Sequence, residues 1–208
     1  MVRKTKADTE QTYNALLDAA IQLFTCQGVA RTTLNEIAKE AQMTRGAVYW
    51  HFDNKDAVIR ALWERNACST HQRFADSMDE LRICADAGQC VRETLKASLR
   101  ELMADEKVTQ VMQIVFHNIE FTDEQTDLQL FLGEQISILL DVFEAVFEAL
   151  ENAGALKVKH SPKMLSRGLM AYMRGLLDMQ LAPMDSGIDL ARDGDLYIDM
   201  FLDSILSD

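Results

Sequence analysis

Two short helical stripes separated by a tight three-residue turn leave this chain few folds to choose from. Leu34, Ile37, Ala38 and Ala41 recur at i, i+3, i+4 and i+7, which makes one apolar face on a helix of about two turns. Thr33 precedes that stripe as a hydroxyl N-cap, and Glu36, three residues on, completes a capping box. Gln42 and Met43 interrupt the pattern, and Thr44 caps a second helix from Arg45 to His51. Ala47 and Val48 face its inner side, while Arg45, Tyr49, Trp50 and His51 point outward. Two short helices joined this closely form a helix-turn-helix, whose second helix fits a DNA major groove.

The segment T-R-G-A-V-Y-W-H-F-D-N-K, Thr44 to Lys55, resembles the recognition-helix segment of TetR-type transcriptional regulators, in particular the AcrR-like branch that represses multidrug efflux pumps. H-N-I-E-F-T-D, from His117 to Asp123, is similar to the E-F-T-D segment of AcrR-like ligand domains. The likeness covers about the first 60 residues closely and the remainder by pattern. It implies an N-terminal three-helix DNA-binding domain over residues 1–54 and a C-terminal helical domain for ligand binding and dimerisation over residues 55–208. A helix from about Lys55 to Met78 would connect the two and carry the ligand signal by its tilt. Members of this family usually carry glycine where Gln42 stands, a position expected to need a positive φ.

Composition agrees with an all-α protein. Two prolines and nine glycines are few for 208 residues, and the apolar residues recur mostly at three and four. The first helix is expected from about Thr9 to Gln27, with Tyr13, Leu16, Leu17, Ala20 and Phe24 as its core face and Gly28 closing it. Further helices are expected at about 89–103, 106–116, 123–152, 161–181 and 195–206, with Ala153-Gly154 as a C-cap signal and a loop from Asp185 to Asp193. No run of 18 apolar residues and no apolar N-terminal segment occurs, so neither a membrane span nor a signal peptide is expected, and the chain is expected to remain in the cytoplasm. Cys26, Cys68, Cys84 and Cys90 show no zinc spacing and are read as free thiols, with a Cys84–Cys90 redox pair as the alternative.

The net charge of −12 runs against nucleic-acid binding until its distribution is considered. Residues 1–60 hold eight Lys/Arg and seven Asp/Glu, whereas residues 61–208 hold 13 and 26. The acidity belongs to the second part, and the near-neutral first part can approach a duplex. Within it, Lys4 and Lys6 of the basic arm are candidates for phosphates or the minor groove. Arg45 is the candidate for reading a guanine edge, and Gly46 gives the backbone room beside DNA. Tyr49 and His51 resemble the family's phosphate-contacting pair, and Trp50 either stacks on sugar or fills space beneath the helix. Lys55 adds charge to a helix N-terminus that favours phosphate. Thr33 and Thr44 can each cap and donate to phosphate.

No catalytic constellation is present: the four histidines are scattered, and there is neither a G-x-S-x-G nor a Gly-rich phosphate loop. No enzyme activity, cofactor or metal is expected. The second part is instead rich in soft apolar residues, which suit a pocket for small lipophilic effectors. Met103, Met112, Phe116, Phe143, Phe147, Met170, Met173 and Met179 are its candidate lining, with ordinary core filling as the plain alternative; Gln113, His117, Glu120, Arg174 and Asp178 are candidates for orienting a ligand. Arg174 and Asp178 are also spaced for a surface ion pair. Leu165, Leu169, Tyr172, Leu176 and Met179, with Tyr197, Phe201, Leu202 and Ile205 on the last helix, are the candidate homodimer face. The expectation is a homodimeric repressor on a near-palindromic double-stranded DNA operator, released by a lipophilic ligand. A TetR-type regulator of another pathway, such as acyl-compound metabolism, and a non-regulatory helical ligand-binding protein are the alternatives.

Overall fold

The computed structural model describes residues 6–79, 86–119 and 126–207. Those residues form ten α-helices: α1 (Lys6–Gln27), α2 (Leu34–Glu40), α3 (Arg45–His51), α4 (Lys55–Asn66), α5 (Cys68–Asp79), α6 (Ala87–Ala104), α7 (Glu106–His117), α8 (Asp127–Asn152), α9 (Pro162–Leu181) and α10 (Leu190–Asp203). The fold is all-α, with a helix-turn-helix at its N-terminal end and a helical C-terminal domain. No described helix is long and apolar enough to cross a membrane. The chain divides into two compact units, one of Met1–Ala67 with Gln110–Phe131, the other of Cys68–Thr109 with Leu132–Asp208.

In the first unit, α1 supplies Leu16, Leu17, Ala20, Ile21 and Phe24 to a core shared with Ile37 of α2, Val48 of α3 and Val58, Ile59 and Leu62 of α4. The helix starts at Lys6, three residues before the expected Thr9. Arg65 fastens α4 to α1, reaching the Asp18 carboxylate at 2.8 Å and the Asn14 carbonyl at 3.2 Å. The single helix expected from Lys55 to Met78 is two helices. Asn66 donates its side-chain amide to the Leu62 carbonyl at 2.8 Å, and Ala67 follows as the C-cap of α4. A side chain competing for a helical carbonyl in this way weakens the ladder at the break.

In the second unit, α6 and α10 face each other through a ladder of opposite charges. Arg92, Lys96 and Arg100 lie at successive i+4 positions on α6, and Asp203, Asp199 and Asp195 answer them on α10. The helices approach closely at Gly194, where a Cβ would stand 2.8 Å from Leu99 Cδ2. The last helix begins at Leu190, five residues before the expected start. Asp189 is its N-cap, and Gln180 accepts the Leu190 amide at 2.7 Å, drawing much of the expected loop into the helix. Cys26 and Cys68 remain thiols. Cys90 is disulfide-bonded, in departure from four free thiols, and Cys84 lies outside the described residues.

Candidate nucleic-acid interface and effector region

Local capping builds the helix-turn-helix. Thr33 accepts the Glu36 amide at 3.2 Å while the Thr33 amide donates to Glu36 Oε2 at 2.8 Å, a complete capping box. Hydrogen bonds from the Thr33 hydroxyl and amide hold the Glu36 carboxyl below its ordinary pKa. The Thr33 hydroxyl proton goes to that carboxylate at 2.8 Å, so for this residue capping and phosphate donation compete, unlike the expectation. Thr44 accepts the Ala47 amide at 3.2 Å and stands exposed at the front of α3.

The turn between α2 and α3 is a Schellman cap. The Gln42 amide bonds the Lys39 carbonyl at 3.0 Å and the Met43 amide bonds the Ala38 carbonyl at 2.8 Å. Gln42 itself has φ 56°, and among the described residues it is the non-glycine residue with positive φ. The geometry read from the family's usual glycine is therefore present with glutamine in place.

On α3, Val48 is buried and Ala47 half-buried, while Arg45, Gly46, Tyr49 and Trp50 are exposed. The Arg45 guanidinium lies over the Tyr49 ring, 5.4 Å from its centroid. Trp50 is 69% exposed, which removes the alternative of a residue filling space beneath the helix. Gly46 has room: the nearest atom to an added Cβ is Thr44 Oγ1 at 3.9 Å, so nothing inside the subunit requires glycine there. His51 departs from the outward placement. It is half-buried, edge-on to Trp50 at 4.5 Å and 5.5 Å from the Tyr13 ring, because Tyr13 stacks on the neighbouring Phe52.

Lys55 also differs from its expected role. Its ammonium donates to the Val29 carbonyl at 2.6 Å and the Ala30 carbonyl at 3.2 Å, holding the turn that precedes α2. The α4 N-terminus is capped instead by Asn54, which accepts the Ala57 amide at 2.8 Å. Lys6 stands exposed in the first turn of α1, and Lys4 lies outside the described residues.

The expected effector residues fall in both units. In the first, Met112 is buried on α7 and Gln113, Phe116 and His117 are half-buried; Glu120 lies outside the described residues. In the second, Phe143 is buried against Phe74, with ring centroids 5.5 Å apart, and Phe147 is fully buried. Met103, Met170, Met173 and Asp178 are half-buried, and Arg174 is exposed.

The stripe expected to form a dimer face is turned largely into the subunit. Leu165, Leu169, Leu176, Leu202 and Ile205 are buried. Tyr172 stacks on Phe201 at 5.2 Å and donates its hydroxyl to the Tyr197 carbonyl at 2.9 Å, joining α9 to α10. An amphipathic helix presents its most apolar stripe to its own core first. Met179 of the expected face is exposed, and the rest of the apolar surface left outside is a different set: Met164, Gly168, Ala171 and Gly175 along α9, with Leu196 and Met200 on α10.

Residues 86–206 match the family described as MAATS-type transcriptional repressor, C-terminal region, and residues 16–62 match bacterial regulatory proteins, tetR family. The chain belongs to the TetR family. Among its relatives is the probable HTH-type transcriptional regulator ArpR of Pseudomonas putida, 35% identical over 99% of this chain and 96% of ArpR. NalD, the secondary repressor of the MexAB-OprM multidrug efflux pump in Pseudomonas aeruginosa, superposes with a TM-score of 0.84 at 27% identity, covering 98% of this chain and all of that one. A SmeT–triclosan complex superposes with a TM-score of 0.76 at 32% identity, covering 95% and 93%; SmeT is the repressor of the Stenotrophomonas maltophilia multidrug efflux pump SmeDEF. This regulator is thus a TetR-type repressor that binds operator DNA and answers to a small ligand, not an enzyme.

Sequence reading missed three positioning side chains in this repressor: Arg65 between α4 and α1, Lys55 on the Val29–Ala30 carbonyls, and Asn118, whose amide donates to the Phe24 carbonyl at 2.7 Å. Their partners are 51, 26 and 94 residues away in the chain, so no local pattern announces them.

Proposed function

We propose that this repressor controls a multidrug efflux operon and is released from its operator by lipophilic small molecules. The observation that carries the reading is the extent of the likeness. Similarity to repressors of efflux pumps runs through residues 86–206, beyond the helix-turn-helix that any TetR regulator would share. A relative that accepts triclosan points to a flat, apolar effector, and Met170 and Met173 of the second unit are side chains that reshape readily around such ligands. Arg45, Tyr49 and Trp50 form the base- and backbone-reading edge, with Thr44 and Gly46 at the point of closest approach. Two copies joined through Met164, Gly168, Ala171, Gly175 and Met179 of α9, with Leu196 and Met200 of α10, form the homodimer, which places two recognition helices on a near-palindromic operator.

Ligand acts by favouring the dimer conformation whose recognition helices no longer match successive grooves. Linkage makes the effect reciprocal, so operator weakens ligand binding by the factor by which ligand weakens operator binding. The test is fluorescence anisotropy on the DNA beside this gene and on a scrambled duplex over a salt series, followed by titration with triclosan. Tighter binding to the native fragment, persisting as salt rises and reversed by triclosan, is the expected result. Specific binding that no lipophilic compound reverses would refute the efflux reading and keep the regulator.

A further inference from the structure

The C-terminal turn of α1 is held from far along the chain. Asn118, immediately after α7, donates its side-chain amide to the Phe24 carbonyl at 2.7 Å, and the same carbonyl accepts the Gly28 amide at 3.0 Å. Three carbonyls of the turn after α1 are also taken. Thr32 donates its hydroxyl to Gly28 at 2.8 Å, and Lys55 takes Val29 and Ala30. Thr33 comes next as the N-cap of α2, and the Gln42 turn joins α2 to the recognition helix. Hydrogen bonds therefore fasten the segment from Phe24 to the DNA-reading element at several points, the first of them from Asn118.

Asn118 moves with α7, since its own amide continues that helix by bonding the Ile114 carbonyl at 3.0 Å. Its side chain is short, so a displacement of about 1 Å between the end of α7 and α1 takes the donor beyond hydrogen-bonding distance. The same helix carries Met112, Gln113, Phe116 and His117. We propose that Asn118 is a positioning residue for operator binding: its carboxamide keeps the last turn of α1, and the turn entering the helix-turn-helix, in register with α7. A shift of α7 that breaks this one bond loosens the recognition helix. The inference goes beyond the choice of effector and needs only operator binding, which the family supplies.

The test uses the full chain with Asn118→Ala, which removes the donor, and Asn118→Asp, which keeps the shape but offers no donor at neutral pH. Operator affinity is read by anisotropy on a duplex selected by the unmodified protein from a random pool, and local opening by backbone hydrogen exchange. Both variants are expected to bind roughly five- to tenfold more weakly, the loss of one hydrogen bond. The salt slope of Asn118→Ala should be unchanged, because no phosphate contact is removed. Amides from Gly28 to Glu36 should exchange faster, with those of α6 and α10 unaltered. Affinity within twofold of the parent in both variants overturns the proposal. So does faster exchange spread evenly over residues 6–67 with a lowered melting temperature, which marks a general stability role. An effect confined to Asn118→Asp also overturns it, since that outcome belongs to the new charge. None of these readouts involves triclosan, so failure here is distinct from failure of the efflux reading.

Discussion

Replacing Gln42 with glycine should stabilise the protein without altering its fold. Gln42 sits at φ 56° in the position after the C-cap of α2, held there by the Gln42–Lys39 and Met43–Ala38 backbone bonds. A side chain with a Cβ pays about 1–2 kcal/mol for the left-handed conformation, while glycine there brings back about 0.5–1 kcal/mol of unfolded-chain entropy. The difference centres on about 0.75 kcal/mol in favour of Gln42→Gly, or about 2–3 °C in melting temperature for a chain of this length. The same protein supplies the mirror experiment. Gly154 closes α8 at φ 70° with the equivalent pair of bonds, Gly154 to Glu151 at 3.0 Å and Ala155 to Leu150 at 2.9 Å, so Gly154→Gln should destabilise by about the same amount. Thermal unfolding followed by circular dichroism measures both, with Gln42→Ala as the control that keeps the strain. Gln42→Gly melting at or below the Gln42→Ala temperature would refute the account, since the strain of a Cβ at this φ would then not exceed the unfolded-chain entropy that glycine adds.

Three further outcomes follow from the geometry. Burial pushes the Asp199 carboxyl up, but hydrogen bonds from Lys96 and Arg92 outweigh it and leave its pKa below the ordinary 3.8; the stability it confers is present above that value and is lost as pH falls through the lower folded pKa. Asp199→Asn should cost about 1 kcal/mol at pH 7 and flatten the decline of melting temperature on acidification below about pH 4, whereas a decline as steep as the parent's would remove Asp199 from that role. The Arg45 guanidinium over the Tyr49 ring predicts that Tyr49→Leu lowers discrimination between operator and scrambled DNA by about 0.5–1 kcal/mol while Tyr49→Phe retains it; equal losses in both would assign the effect to the hydroxyl and a phosphate. Met200→Glu places two like charges across the proposed dimer face and should shift sedimentation from dimer to monomer, and a variant that stays dimeric at micromolar concentration locates the interface elsewhere.

The parts of the fold that were legible are those whose cause is local. The Thr33–Glu36 box, the Thr44 cap and the Gln42 turn each close within five residues, and a capping residue carries its chemistry wherever the rest of the chain goes. The break between α4 and α5 has no proline or glycine to announce it. Asn66 reaching the Leu62 carbonyl is a contact permitted in any helix, so it does not by itself mark a break. The start of α10 was ambiguous because Asp185, Asp189, Asp193 and Asp195 can all cap, and Gln180 settles it from ten residues away. On α9 the apolar stripe is real, but hydropathy ranks stripes by greasiness, and the greasiest belongs to the subunit's own core. The exposed stripe of Gly168, Ala171 and Gly175 between Met164 and Met179 is inconspicuous for the reason that would let a second helix come close: it has little side chain. Lys55 marks the limit of motif transfer most sharply. A four-carbon stem carries its charge several ångströms from the backbone, so a position matched to a phosphate site fixes where the chain is, while the Val29 and Ala30 carbonyls fix where the ammonium goes.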